Sequence, residues 1–382
     1  MAMVLSEDQQ LLRDSARSFC QDNAPISVMR RLRDEKSELG YDETIWQQMI
    51  ELGWPGMAIA EKYGGFEFGY TGLGLVLEET GRTLASSPLI ASVLLGASLL
   101  SEAGSEEQKS GLLPQIVNGK LRLAVGVDEG PHHNPSRVAC TAMKQGAEYV
   151  LTGAKSFVLD GHIADKLIVA ARTSGEPGSE NGISLFLLEA GCQGLQIQRT
   201  QMVDSRNAAN LVLDQVRISE DSLLGSEGAG FAALDAALDI ARIGVASEML
   251  GSVQEVFQRI VEYLKQREQF GVQIGAFQAL QHRAAEMYSE IELCKSAVLG
   301  ALRCLDDPSA TAKDRARMAS LAKAKLSEVS ERVSNEGIQM HGGIGMTDEF
   351  DIGFFLKRAR VAQQFLGDAS FHRDRYATLH NF

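Results

Sequence analysis

Apolar residues recur at helical spacing along the first third of the chain. Ser6 followed by Gln9 is a capping-box signal, and Leu11, Leu12, Ala16 and Phe19 then fall on one helical face. Further helices are predicted over 44–52, 73–84 and 106–118, the last closed by Gly119, with Pro55-Gly56 and Gly64-Gly65 marking loops. The pattern changes near Leu121. Short runs rich in β-branched residues follow at 121–127, 138–143, 149–158, 166–171, 183–188, 195–198 and 210–218, separated by turn signals such as Gln145-Gly146. Strands at this spacing, without helices between them, predict an antiparallel sandwich or barrel and not βαβ units. From Gly230 the period is helical again. Leu234, Leu238, Ala241, Val245, Met249, Val253, Phe257, Ile260 and Leu264 form one long apolar face, closed by Arg267 and Gly271. Helices over 278–305 and 313–340, and a shorter one from about Phe350 to Phe365, complete an expected antiparallel bundle. The expected fold class is α+β multidomain: an N-terminal α-helical domain (1–120), a middle antiparallel β-sandwich or barrel domain (121–222) and a C-terminal four-helix bundle (223–382).

Size and charge narrow the function. A chain of 382 residues with 45% hydrophobic and 23% charged positions has ample core for two or three domains and is not a disordered chain. The formal net charge of -13 argues against nucleic acid or an anionic membrane as the main partner. The longest apolar stretch, Pro88 to Leu100, falls short of the ~20 residues a membrane span needs, so it reads as a core helix and no membrane insertion is expected. Cys20, Cys140, Cys192, Cys294 and Cys304 are odd in number and widely spread, which fits thiols in a reducing cytoplasm and neither a disulfide framework nor a zinc site. The acidic, polar opening Ser6-Glu7-Asp8-Gln9 lacks the features of a signal peptide, so a cytoplasmic location is expected. His132-His133 invites a metal reading, but adjacent loop histidines with no third ligand are more often solvated.

Five motifs occur in order along nearly the whole chain. They are Leu52-Gly53-Trp54-Pro55-Gly56 with Tyr63-Gly64-Gly65, Gly104-Ser105-Glu106-Glu107-Gln108-Lys109 with Leu113-Pro114, Leu213-Asp214-Gln215-Val216-Arg217 with Leu224-Gly225 and Gly228-Ala229-Gly230-Phe231, Arg267-Glu268-Gln269-Phe270-Gly271, and Gln339-Met340-His341-Gly342-Gly343. Together they make the chain resemble the acyl-CoA dehydrogenase family of flavoproteins. That resemblance implies FAD as cofactor and an acyl-CoA thioester as substrate. A carboxylate removes the α-proton, and the β-hydrogen leaves as hydride to the flavin. It also implies an FAD site shared across a subunit interface, with a receiving side and a donating side.

On the donating side, Arg267 matches the family arginine that reaches the neighbour's pyrophosphate, where a guanidinium makes paired, charge-assisted hydrogen bonds. Phe270 matches an aromatic near the adenosine half, Gln278 follows at the usual spacing, and Gln339, Gly342 and Gly343 match a loop whose bare backbone lets FAD approach closely. Read without the resemblance, Gly271 is a helix C-cap and Gly342-Gly343 an ordinary interhelix turn.

The receiving side departs from the family pattern. The Thr-Glu-Pro-x-x-Gly-Ser-Asp segment is replaced by Asp128-Glu129-Gly130-Pro131-His132-His133-Asn134-Pro135, which puts the Asp128 carboxylate at the threonine position, toward electron-rich reduced flavin. In Lys155-Ser156-Phe157-Val158-Leu159-Asp160-Gly161, Phe157 can still stack on a ring, while Leu159 replaces a hydroxyl donor to the flavin. Leu366 stands where the family's catalytic glutamate is commonest, and Ala241, just before Arg242, stands at the alternative base position. Arg242 matches an arginine lining the substrate side. Asp368 is the nearest substitute base, its plain reading being a capping or surface aspartate.

Losses confined to the receiving side resemble the base-lacking subunits of heteromeric members of the family, which act in fatty acid or steroid catabolism. The implied partners are a homologous subunit and an electron-transfer flavoprotein. Two other readings stay open at the level of sequence: a self-sufficient dehydrogenase with a non-standard base, and a non-redox enzyme or CoA-thioester-binding protein on the same fold.

Overall fold

The structure, a computed structural model, describes residues 4–382. The N-terminal third forms α1 (Glu7–Asn23), α2 (Ile26–Asp34), α3 (Glu43–Glu51), α4 (Tyr70–Thr83), a π-helical stretch Leu89–Ala97 continued by α5 (Ser98–Ala103), and α6 (Glu106–Val117). Strands β1 (Leu123–Gly126), β2 (Thr141–Gln145), β3 (Glu148–Leu159), β4 (Lys166–Arg172), β5 (Ile183–Glu189), β6 (Leu195–Gln201), β7 (Asn207–Ser219) and β8 (Leu223–Leu224) follow. Then come α7 (Phe231–Gln266), the hairpin β9 (Glu268–Gln269) and β10 (Val272–Gln273), α8 (Gln278–Asp306), α9 (Ala312–His341), α10 (Ile352–Gln364) and α11 (Ala369–Leu379). The chain divides into two compact units. A helical unit gathers residues up to Asp34, Tyr70–Ser86 and Arg242–Phe382, and a β-rich unit holds Glu35–Gly69 and Ser87–Ala241.

Helix α7 belongs to the β-rich unit through Ala241 and to the helical unit from Arg242. Eight of the nine residues in its expected apolar stripe are buried in the structure, Phe257 being half-buried. Glycines let α4 meet α7 backbone to backbone. A Cβ on Gly251 would stand 1.7 Å from the Glu78 carbonyl oxygen, and one on Gly81 would stand 2.0 Å from that of Glu248. Ser252 Oγ donates to the Gly81 carbonyl at 2.9 Å, closing the same contact. Gly251→Ala therefore forces the helices apart and is expected to lower stability by about 1–3 kcal/mol, read as a reduced unfolding midpoint. An unchanged midpoint would show that the contact is looser than this.

The bundle has one helix beyond the four expected, α11. The sequence pattern also passed over α2, whose sequence is rich in arginine. It buries Ile26 and Met29, and its arginines pair at long range, Arg30 reaching Asp351 at 2.8 Å and Arg33 holding Asp348. The Ser6–Gln9 capping box forms as expected, but the buried face of α1 is Ala16 and Cys20, and Leu11 is exposed.

The β-rich unit carries a sheet in the order β6-β7-β3-β2-β4-β5-β8, with β1 also paired to β4. Its pairings are antiparallel except for β1–β4 and a single β2–β4 contact, which are parallel. The apolar Leu89–Ala97 stretch is buried along its whole length, as expected of a core helix.

Candidate active site

Four of the six expected donor residues come together. Arg267, Gln339, Gly342 and Gly343 line one cavity of about 480 Å³, shared with Tyr263, His341 and Ile344. Arg267 follows the last turn of α7, its backbone tied to Tyr263 and Ile274, and its exposed guanidinium has no ion pair among the described residues. Gly342 caps α9 at φ 63 and ψ -138, a conformation that residues with a Cβ rarely adopt. A Cβ on Gly342 or Gly343 would meet nothing within 4 Å, so bare backbone faces open space. Behind this turn, His341 is buried between Tyr263 and Phe350, and burial lowers its pKa. An unpaired guanidinium beside accessible backbone suits a diphosphate.

Phe270 and Gln278 lie outside that lining. Phe270 (φ 55) and Gly271 (φ 79) make the tight turn between β9 and β10, a pair of left-handed residues typical of two-residue hairpins. The Phe270 ring is 92% exposed and meets Phe277 edge-on at 6.2 Å. Gln278 is exposed at the first position of α8.

The two positions that resemblance matches to the family's base hold apolar side chains. Ala241 is fully buried on α7. Leu366 is buried at φ 60 in the loop between α10 and α11. Its carbonyl accepts from Arg242 Nε at 3.3 Å and lies 3.0 Å from His372 Nε2. Burial, reinforced by Arg242 and Lys323, drives the His372 pKa far down, so the ring is neutral and donates from Nε2. Asp368 is the N-cap of α11, its Oδ1 accepting from the Phe371 N–H at 2.8 Å. Arg242 is buried, with its guanidinium 5.6 Å from the centre of the Phe371 ring.

The receiving segment lies in the β-rich unit, and its loop closes on itself. Asp128 Oδ2 pairs with His133 Nδ1 at 2.8 Å, and Oδ1 accepts from the Asn134 N–H at 3.1 Å. His133 is therefore not the solvated residue expected; its side chain is 2% exposed. The Asp128 carboxylate is engaged within its own loop instead of standing free. Phe157 sits at a register shift between β3 and β7, at φ 52 and 53% exposed, and its N–H donates to Asn210 Oδ1 at 3.2 Å. Leu159 is half-buried on β3.

Sequence reasoning missed Glu129 and Lys323. Glu129 accepts from buried Lys155 at 2.6 Å and from the N–H groups of Ala139 and Cys140 at 2.8 and 3.0 Å. Lys323 lies in the buried stripe of α9 with Ala319, Ala322, Leu326 and Ser327. A lysine inside an apolar helical stripe was the available signal.

Comparison with known proteins decides the family. The chain matches the acyl-CoA dehydrogenase N-terminal domain over residues 6–120, the middle domain over 131–216 and the C-terminal domain over 228–378. The chain belongs to the acyl-CoA dehydrogenase family. It is 31% identical to mitochondrial isovaleryl-CoA dehydrogenase of Pongo abelii, over 97% of this chain and 88% of that protein. It is 28% identical to the caffeyl-CoA reductase-Etf complex subunit CarC of Acetobacterium woodii, over 94% of each. Among solved structures, a variant of the Tcur3481-Tcur3483 steroid ACAD matches with a TM-score of 0.86 at 32% identity, covering 98% of both chains. Acyl-CoA dehydrogenases are flavoprotein oxidoreductases that use FAD. No helix among the described residues is long and apolar enough to cross a membrane.

Proposed function

We propose that this chain is a base-lacking subunit of a heteromeric acyl-CoA dehydrogenase, completing an FAD site held by a homologous partner. The observation that carries the reading is an assembled donor cavity (Arg267, Gln339, Gly342, Gly343) in a chain whose residue 366 is a buried leucine. In this reading Arg267 binds the diphosphate, the Gly342-Gly343 backbone admits its close approach, and exposed Phe270 packs at the adenosine end. Bound FAD would supply the hydride acceptor for α,β-dehydrogenation of an acyl-CoA thioester. Arg242, matched to the family's substrate-side arginine, is buried and holds the Leu366 carbonyl, and removal of the α-proton falls to a carboxylate of the homologous partner. Phe157 keeps an exposed ring, but the Asp128–His133 loop uses its polar groups internally.

The reading in which Asp368 serves as base is disfavoured because that carboxylate caps α11. An electron-transfer flavoprotein as electron acceptor is supported by the Etf complex to which the CarC relative belongs. A role in fatty acid or steroid catabolism, a cytoplasmic location and the three-domain division at 1–120, 121–222 and 223–382 complete the proposal.

The test is flavin content. The chain purified alone is expected to be colourless, and the complex co-expressed with its genomic neighbour of the same family yellow, with about one FAD per pair of chains. In that complex Arg267→Ala is expected to weaken FAD retention roughly 10- to 150-fold, the loss of one charge-assisted contact. A yellow homo-oligomer with one FAD per chain, or full retention in Arg267→Ala at limiting FAD, would overturn it.

A further inference from the structure

Lys323 is completely buried on α9, and it takes no part in the function proposed above. Its Nζ donates to Ser327 Oγ at 3.3 Å, to the Gln363 carbonyl at 3.1 Å and to the Gly367 carbonyl at 2.9 Å. None of these acceptors is a carboxylate. Two of them are backbone oxygens flanking Leu366, the residue at the family's base position.

The charges around Lys323 are mostly of its own sign. From α7 comes Arg242, and from α10 Arg358, which Glu248 neutralises at 2.7 Å. From α11 come neutral His372 and Arg375, which both meet Ser320 of α9. Asp368 is the opposing carboxylate, and it also caps α11. A charged ammonium here lacks both hydration and a hydrogen-bonded counter-ion. The loop above it is strained as well at Leu366, a non-glycine residue at φ 60.

We propose that Lys323 makes the α10–α11 loop proton-sensitive: the charged ammonium favours opening of residues 363–368, and the neutral amine lets them close. The loop, together with the last turn of α10, is the segment whose displacement would hydrate Nζ, because the two supply two of the three acceptors, the Gly367 and Gln363 carbonyls. Burial first, and then Arg242, push the Lys323 pKa down to about 7 in the closed structure. A solvated lysine titrates near 10.4, so the open loop binds the proton more tightly than the closed one. Acidification from about pH 10 to 7 therefore favours opening by up to ~10-fold per pH unit, and further acidification adds nothing. Neither step depends on whether the chain acts as a donor subunit.

The test is amide hydrogen exchange of the full chain between pH 6 and 9, corrected for intrinsic exchange and read on peptides spanning Gln363–His372. Protection is expected to be level from pH 6 to about 7 and then to rise, by up to ~100-fold at pH 9. Lys323→Met should remove the rise. Should that variant fail to fold, Lys323→Gln, which is also neutral, gives the same reading, and His372→Asn should keep the rise. Flat protection in the unaltered chain, an undiminished rise in the Lys323 variant, or its loss in His372→Asn would overturn the proposal. Flavin content does not enter this readout, so the proposal and the functional reading fail separately.

Discussion

Glu129→Ala is expected to destabilise the β-rich unit by about 3–5 kcal/mol, the usual cost of removing one partner from a buried ion pair. Lys155 is fully buried, and its ammonium lies 2.6 Å from Glu129 Oε1, with the Val127 carbonyl at 3.1 Å. The same carboxylate accepts the N–H groups of Ala139 and Cys140, so the substitution strands a cation and two amides together. For a unit of this size each kcal/mol moves the midpoint by about 2–4 °C, so a fall of roughly 6–20 °C should appear in a thermal melt. Glu129→Gln keeps an acceptor and should fall between. A midpoint within about 2 °C of the unaltered chain in both variants would mean that the pair adds nothing to stability.

This result bears on function. By resemblance Glu129 matches the glutamate of the receiving segment, and its contacts in the fold account for it. It holds Lys155 and the N–H groups of Ala139 and Cys140. Retention of Glu129 is therefore no argument for a working receiving site. The losses around it remain consistent with a chain that completes a partner's site.

The long-period features of the fold were legible in the sequence because burial repeats with the helix. The α7 stripe from Leu234 to Leu264 is an example, as is the change to strand spacing near Leu121. What escaped was set by contacts distant in sequence. The helix Ile26–Asp34 pairs its arginines with Asp348 and Asp351, and backbone contact between α4 and α7 depends on Gly81 and Gly251 meeting carbonyls of the other helix. At the site, Arg267 and the Gly342-Gly343 turn were placed together only by family resemblance, since no local pattern links them. The engagement of Asp128 within its own loop escaped for the opposite reason. Its partners His133 and Asn134 are close in sequence, but a side chain's choice between its own loop and a ligand leaves no periodic trace.

The second large effect concerns the helix that leads into the Leu366 loop. Arg358 on α10 and Glu248 on α7 are both almost fully buried, and Arg358 Nη2 lies 2.7 Å from Glu248 Oε2. Arg358→Met fits the space of the arginine stem but leaves the Glu248 carboxylate buried without its cation, so a loss of about 3–5 kcal/mol is expected. Glu248→Gln alone leaves the buried guanidinium short of a counter-charge and should cost a similar amount. The double variant removes both charges and should recover much of either loss, because two well-packed neutral residues often match a buried ion pair. Denaturant titration of the three variants gives the coupling directly. Strictly additive losses would show that the pair acts as two independent packing groups and does not clamp α10 to α7. A strong recovery would show that the clamp is electrostatic, and that the Gln363–Asp368 segment starts from an anchored helix end.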